Sequence, residues 1–366
     1  MKILLDHQTF TNQTYGGISR YFYELFKRFG NTTDSAETSL LLSNNSYLNS
    51  SNHSGLYNFF PNTNFKGKQS LQSLINQTIS ISKLKSGAFD IFHPTYYNPY
   101  FLNYLKGKPF VVTFFDMIHE KFETKYPELK NDPQIFNYKK QLALKATKVI
   151  AISESTKNDI IDIYDIPDDN IEVIYLGSSL IFKEEKMQPL VDNIYILFVG
   201  NRGLYKNFNY YLQSIAELLK KENILFVCAG GGAFTKSEFE MIAQLGLQKL
   251  VKFFPLNDEV LVNLYSNALL FVFPSLYEGF GIPVLEAFSC NCPCLLSDSG
   301  SLKEVGGKAA LYFNATSYED INLKLQFLLN SKAERDNLCA LGKERLSIFS
   351  WDNTFADTLK VYQSII

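Results

Sequence analysis

The chain of 366 residues is short of several things that would mark a specialised fold. Its five Cys (228, 290, 292, 294 and 339) are odd in number and sparse, which argues against a disulfide framework. Three of them alternate in "CNCPCLLS". A short strand entering at Cys292 would turn them to one face, a spacing that suits buried thiols better than a metal site. A formal net charge of −2 excludes a strongly basic nucleic-acid binder. No apolar run reaches the roughly 18 residues of a membrane span. The opening "MKILLD" meets Asp6 after three apolar residues, unlike a secretory leader. A cytoplasmic chain is expected, peripheral at most on the inner face of the plasma membrane. Two phosphate-binding patterns are missing as well: neither Gly-x-Gly-x-x-Gly nor Gly-x-x-x-x-Gly-Lys-Ser/Thr occurs.

What is present reads as an ordinary globular chain, 46% apolar and 20% charged, too long for one comfortable core. Short apolar runs alternate with longer amphipathic segments. The first half offers 2–6, 38–42, 91–95, 110–115, 148–153 and 171–176; the second offers 194–200, 224–230, 251–255, 269–274, 292–297 and 309–313. Continuous rather than alternating apolar runs mean strands buried on both faces, hence parallel sheets covered by helices. Two such series predict two doubly wound α/β domains, 1–180 and 190–350, with the boundary in 177–192 and an amphipathic helix over about 352–366. Residues 43–65 are polar and turn-rich and read as a long surface loop. Charge is uneven: 60–150 holds 13 Lys against 6 Asp or Glu, either a solvated face or a patch for an anionic membrane or substrate.

The halves echo each other. "KILLD" runs into "TYGGISRYFYEL" and "IYILFVG" into "NRGLYKNFNYYL": strand, glycine loop, helix. Each loop either presents amides and a helix N-terminus to an anion or merely uses glycine for a tight turn. The stronger signal is "SLYEGFGIPVLEAF", at the carboxyl end of the run "LLFVFP", where open parallel sheets bind ligands. Gly279 and Gly281 let backbone approach a ligand, and Pro283 suits a first helical turn. Glu278 in the loop and Glu286 in the helix are far enough apart to grip one extended ligand. Each would accept hydroxyl hydrogens, and a carboxylate suits a cis-diol. A capping Glu beside a surface Glu is the plainer alternative. Ser301 and Glu304 in "GSLKEV" fit a capping box.

The segment Glu278-x7-Glu286 within "PSLYEGFGIPVLEAF" resembles the signature of retaining glycosyltransferases of the GT-B fold, family 4. "VGNRGLYKNF", "VIAISESTKNDI", "VIYLG", "NCPCLLSDSGSLKEV", "YGGISRY" and "FSWDNTFADTL" resemble further segments of that family in the same order along the chain. The resemblance implies two Rossmann-like domains facing across a cleft. It also implies a nucleotide-sugar donor, GDP- or UDP-linked, and a glycan or lipid-linked oligosaccharide acceptor, in the setting of bacterial surface polysaccharide. Carried over, Glu286 would take the ribose hydroxyls and Glu278 those of the donor sugar. Gly200 and the amides of Gly279, Phe280 and Gly281 would line sugar and phosphate, and Lys206 and Arg202 would neutralise the diphosphate. Arg202 is displaced by one position from the family pattern. No Asp-x-Asp occurs, so no metal and no other cofactor is expected.

In the first half the resemblance points to Gly16, Gly17 and Arg20 near the donor phosphates, and to Asp116 in "TFFDMIHEKF". The family histidine before that aspartate is Phe115 here, which suggests an apolar contact to a 6-deoxysugar. His119 either substitutes or lies on the surface, and His93 is either core or cleft wall. A sugar-nucleotide epimerase of the same architecture and a non-catalytic sugar-nucleotide binder are the alternatives.

Overall fold

The computed structural model describes residues 1–49, 55–126, 129, 134–178, 180 and 188–366, which fall into two compact units. The first comprises 1–176 and 351–366, the second 177–350. Of the expected linker, 177–192, residues 179 and 181–187 lie outside the described residues.

Among its described residues the first unit carries six parallel strands: β1 (Lys2–Leu5), β2 (Ser35–Thr38), β3 (Ile91–His93), β4 (Val111–Phe114), β5 (Lys148–Ala151) and β6 (Ile171–Val173). They form β2-β1-β3 and β4-β5-β6, joined by a parallel bridge between Phe92 and Phe110. The strand expected at 38–42 lies earlier, at Ser35–Thr38, a partly exposed edge that gives little apolar signal. Within 43–65, Ser43 and Asn45 are buried rather than on the surface, because Asn45 Nδ2 donates to Gln13 O and Ser43 Oγ to Phe10 O.

The last helix, Trp351–Gln363, packs in this first unit. Arg28 Nε donates to Asp352 at 2.7 Å, Thr354 Oγ1 to Tyr175 O at 2.7 Å, and Tyr362 meets His93 Nδ1 at 2.6 Å. His93 is fully buried, with Nε2 3.0 Å from Thr113 Oγ1; burial pushes its imidazole down to about 3. It is a core residue that ties β3 and β4 to the final helix, not a wall of a binding cleft.

The second unit holds β7 (Tyr195–Val199), β8 (Leu225–Ala229), β9 (Val251–Phe254), β10 (Leu270–Phe273), β11 (Cys294–Ser297) and β12 (Ala310–Phe313), all parallel in the order β12-β11-β10-β7-β8-β9. β7 and β10 are adjacent, and the chain winds away from them in opposite directions. Loops leaving such a pair diverge and open a crevice at the carboxyl end of the sheet. Cys290, Cys292 and Cys294 are buried as expected but do not share a strand. Cys290 ends the helix Ile282–Ser289, Cys292 lies in the turn, and only Cys294 is in β11. Among the described residues no group of His, Cys, Asp or Glu is arranged to hold a metal ion, and no helix is long and apolar enough to cross a membrane.

Candidate functional site

The β7 and β10 loops meet at the crevice of the second unit, where Leu276 N–H donates to Tyr205 O at 2.7 Å. The turn Leu204–Lys206 follows β7 and brings the Lys206 ammonium 2.6 Å from Glu278 Oε1. Both side chains are largely buried, 15% and 11% exposed, and the ammonium also lies 5.2 Å from the ring centres of Tyr205 and Phe273. A carboxylate this enclosed needs a cation, and the geometry supplies one.

Three serines at and just after the end of β11 hold the β10 loop in place. Ser297 and Ser299 both donate to Ser275 O, at 2.5 and 2.9 Å, and Ser301 Oγ donates to Glu278 O at 2.7 Å. Ser301 therefore does not form the expected capping box: the helix Gly300–Gly306 begins after Ser299 with no side-chain cap, and the hydroxyl holds the Glu278 backbone instead. Gly281 adopts φ +115°, and an added Cβ would sit 2.8 Å from Leu302. Phe280, 3% exposed, packs edge-on against Phe349 and anchors the turn.

Glu286 sits in the helix Ile282–Ser289 and accepts from Tyr265 Oη at 3.3 Å. Burial pushes its carboxyl up to about 7, against the lowering effect of that hydrogen bond, with Asp258 adding to the rise. Its folded value lies above the ordinary carboxylate value, so on this group's account stability falls as pH rises from about 4.5 to 7. A ligand diol needs the ionised form. Donor affinity should fall as pH drops below about 7, approaching tenfold per unit, and Glu286→Gln should flatten that dependence. Titration of donor affinity between pH 6 and 8.5 checks this; an unchanged slope in the variant would show that another group titrates. Tyr265 was not legible in the sequence, since nothing local distinguishes it from a core tyrosine.

Arg202 departs from expectation. It is 6% exposed, and its guanidinium is turned away from Lys206 into the β8 loop. Nε donates to Glu238 Oε1 (2.8 Å), NH1 to Gly230 O (2.9 Å), and NH2 to Gly232 O (2.8 Å) and Ala233 O (2.9 Å). The rings of Phe234 and Phe253 stack on it. Gly231 makes room: a Cβ there would lie 2.7 Å from Gly200 O. The Gly200 amide donates to Ala229 O within the sheet and is therefore occupied.

The first unit places its candidates separately. Gly16 precedes the helix Gly17–Phe29 in an extended conformation, and Gln13 Oε1 accepts from the Ser19 amide in that helix's first turn. Arg20 pairs with Glu24 at 2.7 Å and lies over the Tyr47 ring. Phe115 is 8% exposed and packs edge-on against Tyr21 and Phe22, so most of the ring belongs to the core. His119 is half-buried in the short helix Ile118–Phe122.

Asp116 is partly exposed at the end of β4, and its loop rests on Lys139, which is 1% exposed. The Lys139 ammonium donates to Asp116 O (2.8 Å) and Glu120 Oε2 (2.9 Å), and Tyr164 Oη donates to Glu120 Oε1 (2.6 Å). A sequence signal for this existed: Ile135, Lys139 and Leu142 stand at i, i+4, i+7, which puts the lysine in an apolar stripe. Asp6, fully buried at the end of β1, accepts from Thr95 N–H and Oγ1, Gln8 and Tyr100, fixing the β1 loop against the end of β3.

Two α/β units of parallel strands, the second with a carboxylate–lysine pair at its switch point, have the architecture that binds ligands at the carboxyl ends of its strands. Family models agree: "Glycosyltransferase Family 4" matches residues 15–180 and "Glycosyl transferases group 1" residues 182–345. The chain belongs to the family 4 glycosyltransferases of the GT-B fold, a class of transferases. It is 27% identical over 234 residues to the O-antigen chain mannosyltransferase B of Escherichia coli, a match covering 60% of this chain and 61% of that protein. Matches to the curated relatives span between about a quarter and three fifths of their length. Among solved structures, sucrose-phosphate synthase from Thermosynechococcus elongatus is similar at a TM-score of 0.77 and 17% identity, covering 99% of this chain and 98% of that one. The HepE protein of Anabaena, in complex with UDP and glucose, is similar at 0.75 and 15%, covering 99% of each.

Proposed function

We propose that the protein transfers a glycosyl unit from a nucleoside-diphosphate sugar, GDP- or UDP-linked, to a glycan or lipid-linked acceptor in bacterial surface polysaccharide assembly, with retention of configuration and without a metal ion. The observation that carries this reading is the buried Glu278–Lys206 pair at the β7/β10 crevice, with Glu286 eight positions further on. O-antigen enzymes among its relatives support the setting.

Glu286 would accept from the ribose diol and Glu278 from hydroxyls of the donor sugar, with the amides of the Glu278–Gly281 turn beside them. As the glycosidic bond breaks, negative charge grows on the departing diphosphate, and the Lys206 ammonium is preorganised to stabilise it. A cation already held in a low-dielectric crevice needs little reorganisation when that charge develops. Lys139 would hold the Asp116 loop on the acceptor-binding unit, and contact through the basic 60–150 segment would bring a membrane-borne acceptor near.

Ligand-induced thermal shifts across UDP-, GDP- and dTDP-sugars should single out one nucleotide class, since a ligand at 100 times its Kd stabilises the native state by about 2.7 kcal/mol. Glu286→Ala should abolish both that shift and turnover. Turnover near wild type in Glu286→Ala would refute the assignment.

A further inference from the structure

The first unit carries a groove with almost no charge in its walls. Two adjoining clefts of about 470 and 420 Å³ share Asn12, Gln69 and Ser70 and run along the helix Lys68–Ser86. Among the described residues the one ionisable side chain lining them is Lys68, whose ammonium donates to Phe60 O (2.7 Å) and Thr63 O (2.9 Å). From 69 to 82 the helix holds no charged residue at all, although an exposed helical face ordinarily carries ion pairs. Gln69, Ser73 and Gln77, spaced four apart, line the second cleft instead.

The amides of the first cleft are held in place. Gln72 Nε2 donates to Leu42 O (3.1 Å), and Asn44 exchanges hydrogen bonds with the backbone of Phe59 (2.8 and 3.0 Å). Gln72 itself is only 4% exposed. Phe65 stands at the rim, 39% exposed, 5.6 Å from Phe60.

We propose that this groove binds a neutral oligosaccharide, the non-reacting part of the acceptor; the inference rests on the glycosyl-transfer reading above. Sugar hydroxyls both donate and accept, and amide side chains offer one of each without the desolvation cost of a charge. The aromatic rim suits the C–H face of a pyranose, and two joined clefts suit more than one ring. A phosphate or acidic glycan would find one ammonium here, that of Lys68, with two of its three hydrogens already donated to backbone carbonyls.

The test uses the full chain. Saturation-transfer NMR without donor should show mannotriose or maltotriose bound and trigalacturonate not bound. Asn12→Ala and Gln69→Ala, both at exposed positions, should weaken that signal and raise the trisaccharide-acceptor KM by roughly tenfold, as expected for a lost hydrogen bond or two. The KM for a monosaccharide acceptor should not follow. Absence of saturation transfer to either neutral trisaccharide, preference for the anionic one, or an unmoved trisaccharide KM would each overturn the proposal. Slow donor hydrolysis reports on the transfer reading separately. If hydrolysis is lacking, that reading fails; if it persists beside a silent groove, only the groove is wrong.

Discussion

Lys206→Met should lower turnover by about 10²- to 10³-fold, the usual effect of removing one preorganised group that stabilises transition-state charge. Methionine keeps most of the packing against Tyr205 and Phe273, so the change isolates the charge. It also leaves the largely buried Glu278 without its cation, which should cost stability as well. Lys206→Met combined with Glu278→Gln separates the two effects. The double variant should regain thermal stability, because no charge is left unpaired, and should stay as inactive as Lys206→Met. Steady-state kinetics and a thermal melt on the three proteins check this. Turnover restored along with stability would mean that Lys206 merely neutralises Glu278.

Arg202→Met should act on folding instead. The substitution removes five donated hydrogen bonds and leaves Glu238 without its cation and the carbonyls of Gly230, Gly232 and Ala233 without this donor. Breaking a buried pair in this way costs about 3–5 kcal/mol. For a unit of this size that is a drop of about 6–20 °C in melting temperature. Differential scanning calorimetry should show the loss in the second unit, while donor affinity measured well below the melt stays within a few-fold of wild type. A large loss of donor affinity at unchanged stability would return Arg202 to the diphosphate.

These two cations frame what was readable in advance. In "NRGLYKNF" both carry the same charge at the edge of the same loop, and both look like phosphate ligands. Their division of labour depends on Glu238, 36 positions downstream, and on Gly231, whose missing Cβ lets the β8 loop approach Gly200. No local pattern reports a partner that distant. The same holds for Ser301, whose capping-box spacing was real but which lies inside the helix rather than at its N-cap and donates its hydroxyl to Glu278 O. His93 is parallel: a strand-end histidine reads equally as core or as cleft wall until Tyr362, 269 positions away, closes over it.

Eleven of the twelve strand segments lay where apolar runs placed them, because a strand buried on both faces must be apolar along its length. The edge strand β2 escaped because it is not so buried. By itself, then, the sequence determined the strand–helix alternation, the glycine turn with its two carboxylates, and the absence of the common phosphate motifs. These are local consequences of hydrophobicity and backbone freedom. Only the tertiary structure decided which charge pairs with which: Lys206 with Glu278, Arg202 with Glu238, Lys139 with Glu120. Burial makes an unpaired charge costly, so each takes the partner that packing brings within reach, whatever its distance along the chain.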